Sequence, residues 1–314
     1  MMKIALLGTG FGQAHAAVYA QREVEVVVFG RTQAKLEDVR QKFGFPTTTD
    51  LDRLYDDPSI DLIDVCLPTA LHVEHVLRGV SAGKHVLCEL PLALTMADAQ
   101  RVADAAEATD RQVFVDMFGR FSPTNRLLRE AVAEKTYGRL QVLEMEGRTA
   151  LLWPGYDLTL DTIVLDILHG NLDTLVQVLG VPESFTTSAV AGAERGSTVQ
   201  AVFTSPDAIA RVSGCSLMPQ PYGSRGGYRA TFTGGVLEHD FAVGFNGKVV
   251  IPVVHEYTDD GHRELPVEGP DAYTAMIDHV LACLRAEEVN RLAPSTVLES
   301  LRLTLELHEA VNRG

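Results

Sequence analysis

The sequence predicts two domains: an α/β domain with a doubly wound parallel sheet, then an α+β domain with an open, mostly antiparallel sheet. The chain has 314 residues, about twice the usual length of one domain. Up to about residue 120, short apolar runs alternate with helix-length segments; after residue 138, alternating strand-like stretches punctuated by glycine and proline replace them. We therefore expect a domain over residues 1–120 and a second over residues 121–314.

Five apolar runs are the predicted strands of the first domain. Their side chains are apolar almost throughout, which is typical of parallel strands covered on both faces. Helix-length segments separate most of them, as in a Rossmann-type fold, and Thr95 followed by Asp98 marks the start of one such helix. The predicted strands are residues 4–7, 24–29, 62–67, 86–90 and 113–115.

The second domain is predicted from strands whose apolar residues alternate with polar ones. Helical segments over residues 161–179, 271–286 and 295–312 accompany them, so helices are expected to cover an open sheet. The clearest predicted strands are residues 140–146, 198–204, 209–216, 229–233 and 248–254.

Acidic side chains outnumber basic ones by 42 to 27, which gives a net charge of −15. Such a charge repels phosphate backbones and anionic lipids, so we expect neither nucleic acid nor a membrane as partner. No segment approaches the roughly 20 uncharged apolar residues of a membrane span, and the start of the chain lacks a signal-peptide core. The four cysteines form no CxxC pair, so we predict no metal site, no disulfide framework and a cytoplasmic protein.

A glycine-rich turn, GTGFGQAH over residues 8–15, follows the first predicted strand and leads into a helix. Gly8, Gly10 and Gly12, with Phe11 between them, would let a pyrophosphate reach backbone N–H groups at the helix start. The usual third glycine position holds Gln13, so an ordinary strand-to-helix turn is the alternative. The position after an apolar strand in an alternating pattern favours dinucleotide binding.

The end of the second strand predicts which dinucleotide binds. An acidic residue there would accept the ribose hydroxyls of NAD, but the chain has Gly30, Arg31 and Thr32. Arg31, the Thr32 hydroxyl and Lys35 could instead hold a 2′-phosphate. We therefore predict NADP(H) as the preferred cofactor. The alternative is that Arg31 is only a solvated residue and that NAD(H) is also accepted.

The motifs that follow resemble the Gfo/Idh/MocA family of oxidoreductases. They are CLPT at residues 66–69, His72 and Glu74, AGKHVLCELP at residues 82–91, GRFSP at residues 119–123, and the segment 166–180. The resemblance implies a nicotinamide-binding first domain, hydride exchange with sugars, inositols or related polyols, and a second domain whose sheet forms a homo-dimer or homo-tetramer. It also places six residues beside the cofactor: Leu67, Pro68, Thr69, His72, Glu89 and Pro91.

Three positions depart from the family pattern. Leu90 replaces the lysine of the family's Glu-Lys-Pro motif, and leucine neither donates nor accepts a proton. Gly170 stands where the family has a histidine, and His169 lies one residue earlier. Phe118 replaces an asparagine that many relatives carry near the nicotinamide.

With that lysine absent, we expect the acid/base chemistry to come from the later helix. Asp166, His169 and Asp173 fall at i, i+3 and i+7 and would share one helix face. Beside carboxylates, His169 is expected to have a raised pKa and to donate a proton, with Asp166 as its catalytic partner. The alternative is a solvated polar face opposite an apolar stripe.

The remaining candidates concern the substrate. Arg120, Trp153, Tyr156 and Asp173 are predicted to bind it; a structural ion pair is the alternative for Arg120, and simple packing for the two aromatic residues. The sequence thus predicts an NADP(H)-dependent oxidoreductase of a sugar-like or cyclic polyol or ketone substrate. A non-redox NADP(H)-binding sensor and a cofactor-assisted epimerase or lyase remain alternatives.

Overall fold

A computed structural model describes residues 1–150, 156–243 and 253–313. The chain divides into two compact units, Met1–Phe118 with Asp271–Leu298 and Gly119–Pro270 with Glu299–Gly314. These units differ from the expected 1–120 and 121–314 division, because the chain returns to the first unit after residue 270. The returning helix Ala272–Leu284 is largely apolar and contacts the helix Gly12–Tyr19, so its apolar side chains are buried in the first unit.

The first unit contains a parallel six-stranded sheet in the order β3-β2-β1-β4-β5-β6. This confirms the predicted doubly wound sheet; β3, a two-residue edge strand, was not predicted. Strands β4 and β5 are almost wholly buried, because most of their side chains are apolar on both faces, with Asp64 of β4 as a buried exception. The strands are β1 (Met2–Leu7), β2 (Val24–Phe29), β3 (Thr47–Thr48), β4 (Leu62–Val65), β5 (His85–Cys88) and β6 (Val113–Val115).

Helices connect these strands, as the sequence pattern predicts. The predicted start of α5 is confirmed, because the Thr95 hydroxyl accepts a hydrogen bond from the Asp98 N–H at 3.1 Å. The helices of the first unit are α1 (Gly12–Tyr19), α2 (Gln33–Phe43), α3 (Asp52–Asp56), α4 (His72–Ser81), α5 (Met96–Glu107) and, after the second unit's strands, α9 (Ala272–Leu284).

The second unit contains an eight-stranded sheet in the order β14-β13-β12-β11-β7-β10-β9-β8. All neighbours are antiparallel except β7 and β10, which are parallel, so the predicted open, mostly antiparallel sheet is confirmed. Residues 248–252 of one predicted strand lie outside the described residues. The strands are β7 (Leu140–Thr149), β8 (Ser184–Ala191), β9 (Ser197–Thr204), β10 (Ile209–Cys215), β11 (Ser224–Phe232), β12 (Gly235–Val243), β13 (Val253–Thr258) and β14 (Gly261–Leu265).

Helices pack against one face of this sheet and close the core of the second unit. The predicted helix over residues 161–179 contains a π-helical turn, Val164–Leu168, between two α-helical parts. The stretch Leu160–Leu179 is long and apolar enough to cross a membrane by length and composition alone, but half of it is buried in the protein. The helices are α6 (Pro123–Ala133), α7 (Leu160–Ile163), α8 (His169–Leu179) and α10 (Leu298–Asn312).

Candidate cofactor and substrate sites

The glycine-rich turn after β1 fits a bound phosphate. Gly8 has φ +123°, and a Cβ there would lie 2.1 Å from the backbone oxygen of Cys66, so the turn needs glycine. A Cβ at Gly10 would have no atom of the described residues within 4 Å, so open space borders the turn. Helix α1 begins at Gly12 after Phe11, with no side-chain cap and no acidic residue in its first turn. Its first N–H groups are therefore suited to an anion.

The end of β2 carries positive charge and no carboxylate. Arg31, Thr32 and Lys35 are all exposed. Thr32 occupies the N-cap position of α2, but its hydroxyl makes no capping hydrogen bond there. Two exposed cationic side chains and an exposed hydroxyl thus fall within five consecutive residues, and these are groups that can bind a phosphate.

His72 connects the segments that follow β4 and β5. Its Nδ1 lies 2.9 Å from the Pro91 backbone oxygen, and its Nε2 lies 2.7 Å from the Leu67 backbone oxygen. Burial lowers the pKa of His72 although both carbonyl groups favour its charged form. The histidine therefore fixes these two segments, on which Pro68, Thr69 and Glu89 also lie.

Sequence reasoning missed a buried ionic cluster beneath the glycine turn. His15 of α1 lies between two carboxylates, with Nδ1 2.8 Å from Asp64 Oδ2 and Nε2 2.8 Å from Asp116 Oδ2. The Tyr19 hydroxyl also donates to Asp64, at 2.8 Å. Burial opposes the charged form of His15, but the two carboxylates outweigh it and hold the pKa of His15 well above its usual range. The available signal was Asp64, an acid inside an otherwise apolar strand.

Glu89 borders this cluster directly after β5. Its Oε2 accepts a hydrogen bond from the Leu90 N–H at 3.2 Å. Its Oε1 is buried without a hydrogen-bond partner in the described part of the chain and lies 3.6 Å from His15 Nε2. Burial and then the charge of Asp116 raise the pKa of Glu89 to about 8, although His15 opposes this shift. At neutral pH Glu89 is therefore mostly a neutral carboxylic acid.

The hydrogen bonds of His15 leave this cluster poorly suited to a metal ion. Donor atoms of His15, Cys66 and Glu89 lie within 4.8 Å of one another. Both ring nitrogens of His15 are already bonded to carboxylates, and a protonated imidazole has no lone pair for a metal. A metal ion would have to displace these bonds.

His169 in the second unit is buried, with 1% of its surface exposed. Its Nδ1 lies 2.7 Å from the Thr304 hydroxyl oxygen, and that hydroxyl donates its single proton to the Ser300 backbone oxygen at 2.7 Å. The histidine must therefore be the donor to Thr304, which leaves Nε2 with a free lone pair. Nε2 has no hydrogen-bond partner among the described residues.

The expected raised pKa of His169 is wrong. Burial lowers its pKa to about 4, because the favourable charge of Asp173 is too weak to offset desolvation and the charge of Arg120. Asp173 is itself 3% exposed, so the alternative of a solvated polar face is also wrong for both residues. At neutral pH His169 is an uncharged hydrogen-bond acceptor.

Arg120 and Asp173 bind each other. The guanidinium donates two hydrogen bonds to the carboxylate, at 2.9 Å from Nε and 2.7 Å from a terminal nitrogen, and Gln177 donates a third. Burial opposes ionisation of Asp173, but the bond from Arg120 prevails and lowers its pKa. The alternative of an ion pair is thus confirmed for Arg120, and a contact of either residue with substrate stays a prediction.

Asp166 and Tyr156 form a second pair in this unit. The Tyr156 hydroxyl donates a hydrogen bond to Asp166. Burial raises the pKa of Asp166 despite this bond. Asp166 lies in the π-helical turn just before His169, and a Cβ at Gly170 would meet no described atom within 4 Å. Trp153 lies outside the described residues.

Comparisons with known proteins agree with this arrangement. Residues 2–117 match the model of the GFO_IDH_MocA family, described as an oxidoreductase family with an NAD-binding Rossmann fold. Myo-inositol 2-dehydrogenase of Thermotoga maritima is 29% identical over 196 residues, 60% of this chain and 59% of that protein. Inositol 2-dehydrogenase of Paracoccus denitrificans is 35% identical over 153 residues, 45% of this chain and 44% of that protein.

The matched regions thus span about half of these relatives' length. Solved structures of low sequence identity share the fold over the whole chain. A 3-ketoreductase of Actinomadura kijaniata, in complex with NADP and TDP-benzene, has a TM-score of 0.82 at 18% identity and covers 100% of this chain and 97% of its own. An Agrobacterium radiobacter oxidoreductase, in complex with NAD+, L-tartaric acid and magnesium, has a TM-score of 0.81 at 15% identity with the same coverage. The resemblance found in the sequence is confirmed for the first unit: residues 2–117 match the Gfo/Idh/MocA family of oxidoreductases with an NAD-binding Rossmann fold.

Proposed function

We propose that the protein is an NADP(H)-dependent oxidoreductase that acts on the CH–OH group of a sugar-like or cyclic polyol, or on the corresponding ketone. The observation that carries this proposal is His169 Nε2, which is buried and has no hydrogen-bond partner in the described part of the chain. The glycine turn after β1 and the match of residues 2–117 to an NAD-binding Rossmann fold support it. Relatives named as inositol dehydrogenases support the substrate class.

The preference for NADP(H) is proposed from the end of β2. Arg31 and Lys35 would pair with a 2′-phosphate, and Thr32 would donate a hydrogen bond to it. Gly8, Gly10, Phe11 and Gly12 would hold the pyrophosphate through their backbone. The segments that carry Leu67, Pro68, Thr69, His72, Glu89 and Pro91 would border the rest of the cofactor.

When bound, the nicotinamide supplies hydride exchange with the substrate carbon. The chain must then handle the hydroxyl proton. In alcohol oxidation the O–H bond breaks and its proton passes to His169 Nε2, while the carbon loses its hydride and becomes a carbonyl carbon. A neutral imidazole with a free lone pair suits this direction. Asp166, with its raised pKa, and Tyr156 would bind further hydroxyl groups of the substrate.

Two further features belong to the proposal. A homo-dimer or homo-tetramer through the second unit's sheet is part of the proposal, supported by the exposed apolar side chains of Val202 and Ile209 on the neighbouring strands β9 and β10. Light scattering of the purified protein tests this assembly. The four cysteines are free thiols, which supports a reducing, cytoplasmic location.

The test is a titration with NADPH and NADH followed by turnover on a panel of inositols, sugars and cyclic ketones. We expect saturable binding of NADPH, turnover of a polyol, and at least about a 100-fold loss of kcat in His169→Ala with unchanged affinity for NADPH. Glu107→Ala, at an exposed residue of α5, is the control for a surface substitution. Tight NADPH binding without turnover on any substrate would favour the sensor, and a substrate isomerised without net NADPH consumption would favour the epimerase or lyase.

A further inference from the structure

The position of Glu89 in the sheet relates it to one end of the proposed cofactor. The strand order β3-β2-β1-β4-β5-β6 places the Arg31 end of β2 on one side of the glycine turn and the Glu89 end of β5 on the other. If the pyrophosphate binds at the turn and the adenosine ribose at β2, the nicotinamide half must extend toward β4 and β5. Glu89 thus lies on the nicotinamide side of the sheet.

The charges around Glu89 do not balance. Three buried carboxyl groups, those of Asp64, Glu89 and Asp116, share one basic group, His15. Full ionisation of all four would leave two uncompensated negative charges in the protein interior, which is costly. His15 bonds Asp64 and Asp116 at 2.8 Å each, whereas Glu89 Oε1 lies 3.6 Å from His15 Nε2 and has no hydrogen-bond partner in the described part of the chain. Glu89 is therefore the carboxyl group that keeps a proton.

Among the described residues, His15 is the basic group that acts electrostatically on Glu89. The titratable groups that act on it or share its cluster are acids, thiols and phenols, apart from His15. They are His15 and Tyr19 of α1, Asp64 of β4 and Cys66 after it, Cys88 of β5, Asp116 after β6, and Tyr273 of α9. Ionisation of Glu89 would thus add a negative charge to this cluster that His15 alone cannot balance.

We propose that ionised Glu89 makes the first unit prefer the oxidised over the reduced nicotinamide, so that this preference grows in alkaline solution. This inference rests on the proposed dinucleotide binding. The oxidised nicotinamide ring carries a positive charge and the reduced ring is neutral, so only the oxidised form gains from a carboxylate nearby. Glu89 therefore determines which redox form is held more tightly.

Thermodynamic linkage gives the proposal a second consequence. If ionised Glu89 favours the oxidised form, that form must in turn favour ionised Glu89 and release its proton on binding. Binding of the reduced form must release no proton from Glu89. Proton release on binding of NADP+ alone, near pH 8, would report this coupling without any catalysis.

The experiment measures the affinities of NADP+ and NADPH for the full chain between pH 7 and 9, by calorimetry in buffers of different ionisation enthalpy. The 2′-phosphate is common to both ligands, so its titration cancels in the ratio of the two dissociation constants. We expect the ratio to shift toward NADP+ by about tenfold over this range, with proton release on NADP+ binding. Glu89→Gln, which keeps the size but cannot ionise, should show neither effect, and Glu107→Gln, on an exposed residue, should behave as wild type.

Asp116→Asn provides a second variant that does not depend on the folding of Glu89→Gln. Loss of the Asp116 charge should move the midpoint of the affinity shift to lower pH, because Asp116 is a major cause of the raised pKa of Glu89. Tight binding with a pH-independent ratio in the wild type, or an unchanged shift in Glu89→Gln, would overturn this inference alone. Failure to bind either dinucleotide would overturn the proposed function with it.

Discussion

The Nδ1 atom of His169 lies 2.7 Å from the hydroxyl oxygen of Thr304. The Thr304 hydroxyl donates its proton to the Ser300 carbonyl oxygen, so it can only accept from Nδ1. This contact fixes the histidine tautomer and leaves Nε2 as the acceptor. Thr304 is thus a positioning residue for the proposed base, 135 positions away in the sequence.

Replacement of Thr304 tests this relationship. Thr304→Val leaves the buried Nδ1–H without its hydrogen-bond acceptor. The proton is then no longer held on Nδ1, and Nε2 can carry it instead. We expect kcat/KM on the substrate found in the turnover panel to fall about 10–100-fold, with NADPH affinity unchanged. Steady-state kinetics across pH 5–9 measure the effect.

Thr304→Ser is the matched control, because serine keeps the hydroxyl and loses only a methyl group. It should recover most of the rate and the wild-type pH profile. Equal losses in the valine and serine variants would show that packing, rather than the hydrogen bond, is responsible.

Arg31 is predicted to select the phosphorylated cofactor. In Arg31→Asp an acid follows β2, which repels a 2′-phosphate and can accept the ribose hydroxyls of NADH. We expect the affinity for NADPH to fall about 10–100-fold and that for NADH to rise, as measured by fluorescence titration. Arg101→Asp, at an exposed arginine of α5, should leave both affinities unchanged. If Arg31→Asp weakens both cofactors equally, Arg31 does not discriminate between them.

Gly10 and Gly8 are predicted to fail in different ways when replaced by alanine. A Cβ at Gly10 points into open space, so Gly10→Ala should fold with wild-type stability but lose NADPH affinity at least about tenfold, because the methyl group occupies space needed for the pyrophosphate. At Gly8 the added Cβ meets the Cys66 oxygen at 2.1 Å, so Gly8→Ala should lower the melting temperature itself. Thermal unfolding with and without NADPH separates the two effects. Unchanged NADPH affinity in Gly10→Ala would contradict a phosphate at this turn.

The sequence predicted the features that depend on local pattern. The apolar runs of β1, β2 and β4–β6 and the glycine turn are readable because strand burial and positive φ restrict residue choice locally. The return of α9 to the first unit and the joining of His15 to Asp64 and Asp116 depend on long-range packing, which no local pattern encodes. The error at His169 had the same origin: its spacing to Asp173 was visible, but the burial that lowers its pKa was not.

The buried acid Glu89 is predicted to weaken the fold as pH rises. Its pKa is about 8 in the folded state against an ordinary 4.5, so between these values the folded state holds a proton that the unfolded state has lost. Stability therefore falls with rising pH, by up to about 1.4 kcal/mol per pH unit. His15 acts in the same direction above pH 6.5, because its folded pKa is raised. Urea unfolding should show a shallower decline in Glu89→Gln than in the wild type or Glu107→Gln, and parallel declines in all three would contradict an uncharged Glu89.

Buried His169 is predicted to lower the stability of the fold as pH falls below 6.5. Its pKa is about 4 when folded against an ordinary 6.5, so between these values only the unfolded state binds the proton, and stability is lost as pH falls. Glu89 contributes more to stability as pH falls over part of the same range, so the wild-type pH dependence alone cannot separate the contributions of Glu89 and His169. The difference between wild type and His169→Gln cancels the shared Glu89 contribution. We expect the free-energy difference between them to move in favour of the variant by up to about 1.4 kcal/mol per pH unit from pH 6.5 to 4.5. A constant difference for His169→Gln would mean that the histidine is charged in the folded protein, and the proposed base would then lack its free lone pair.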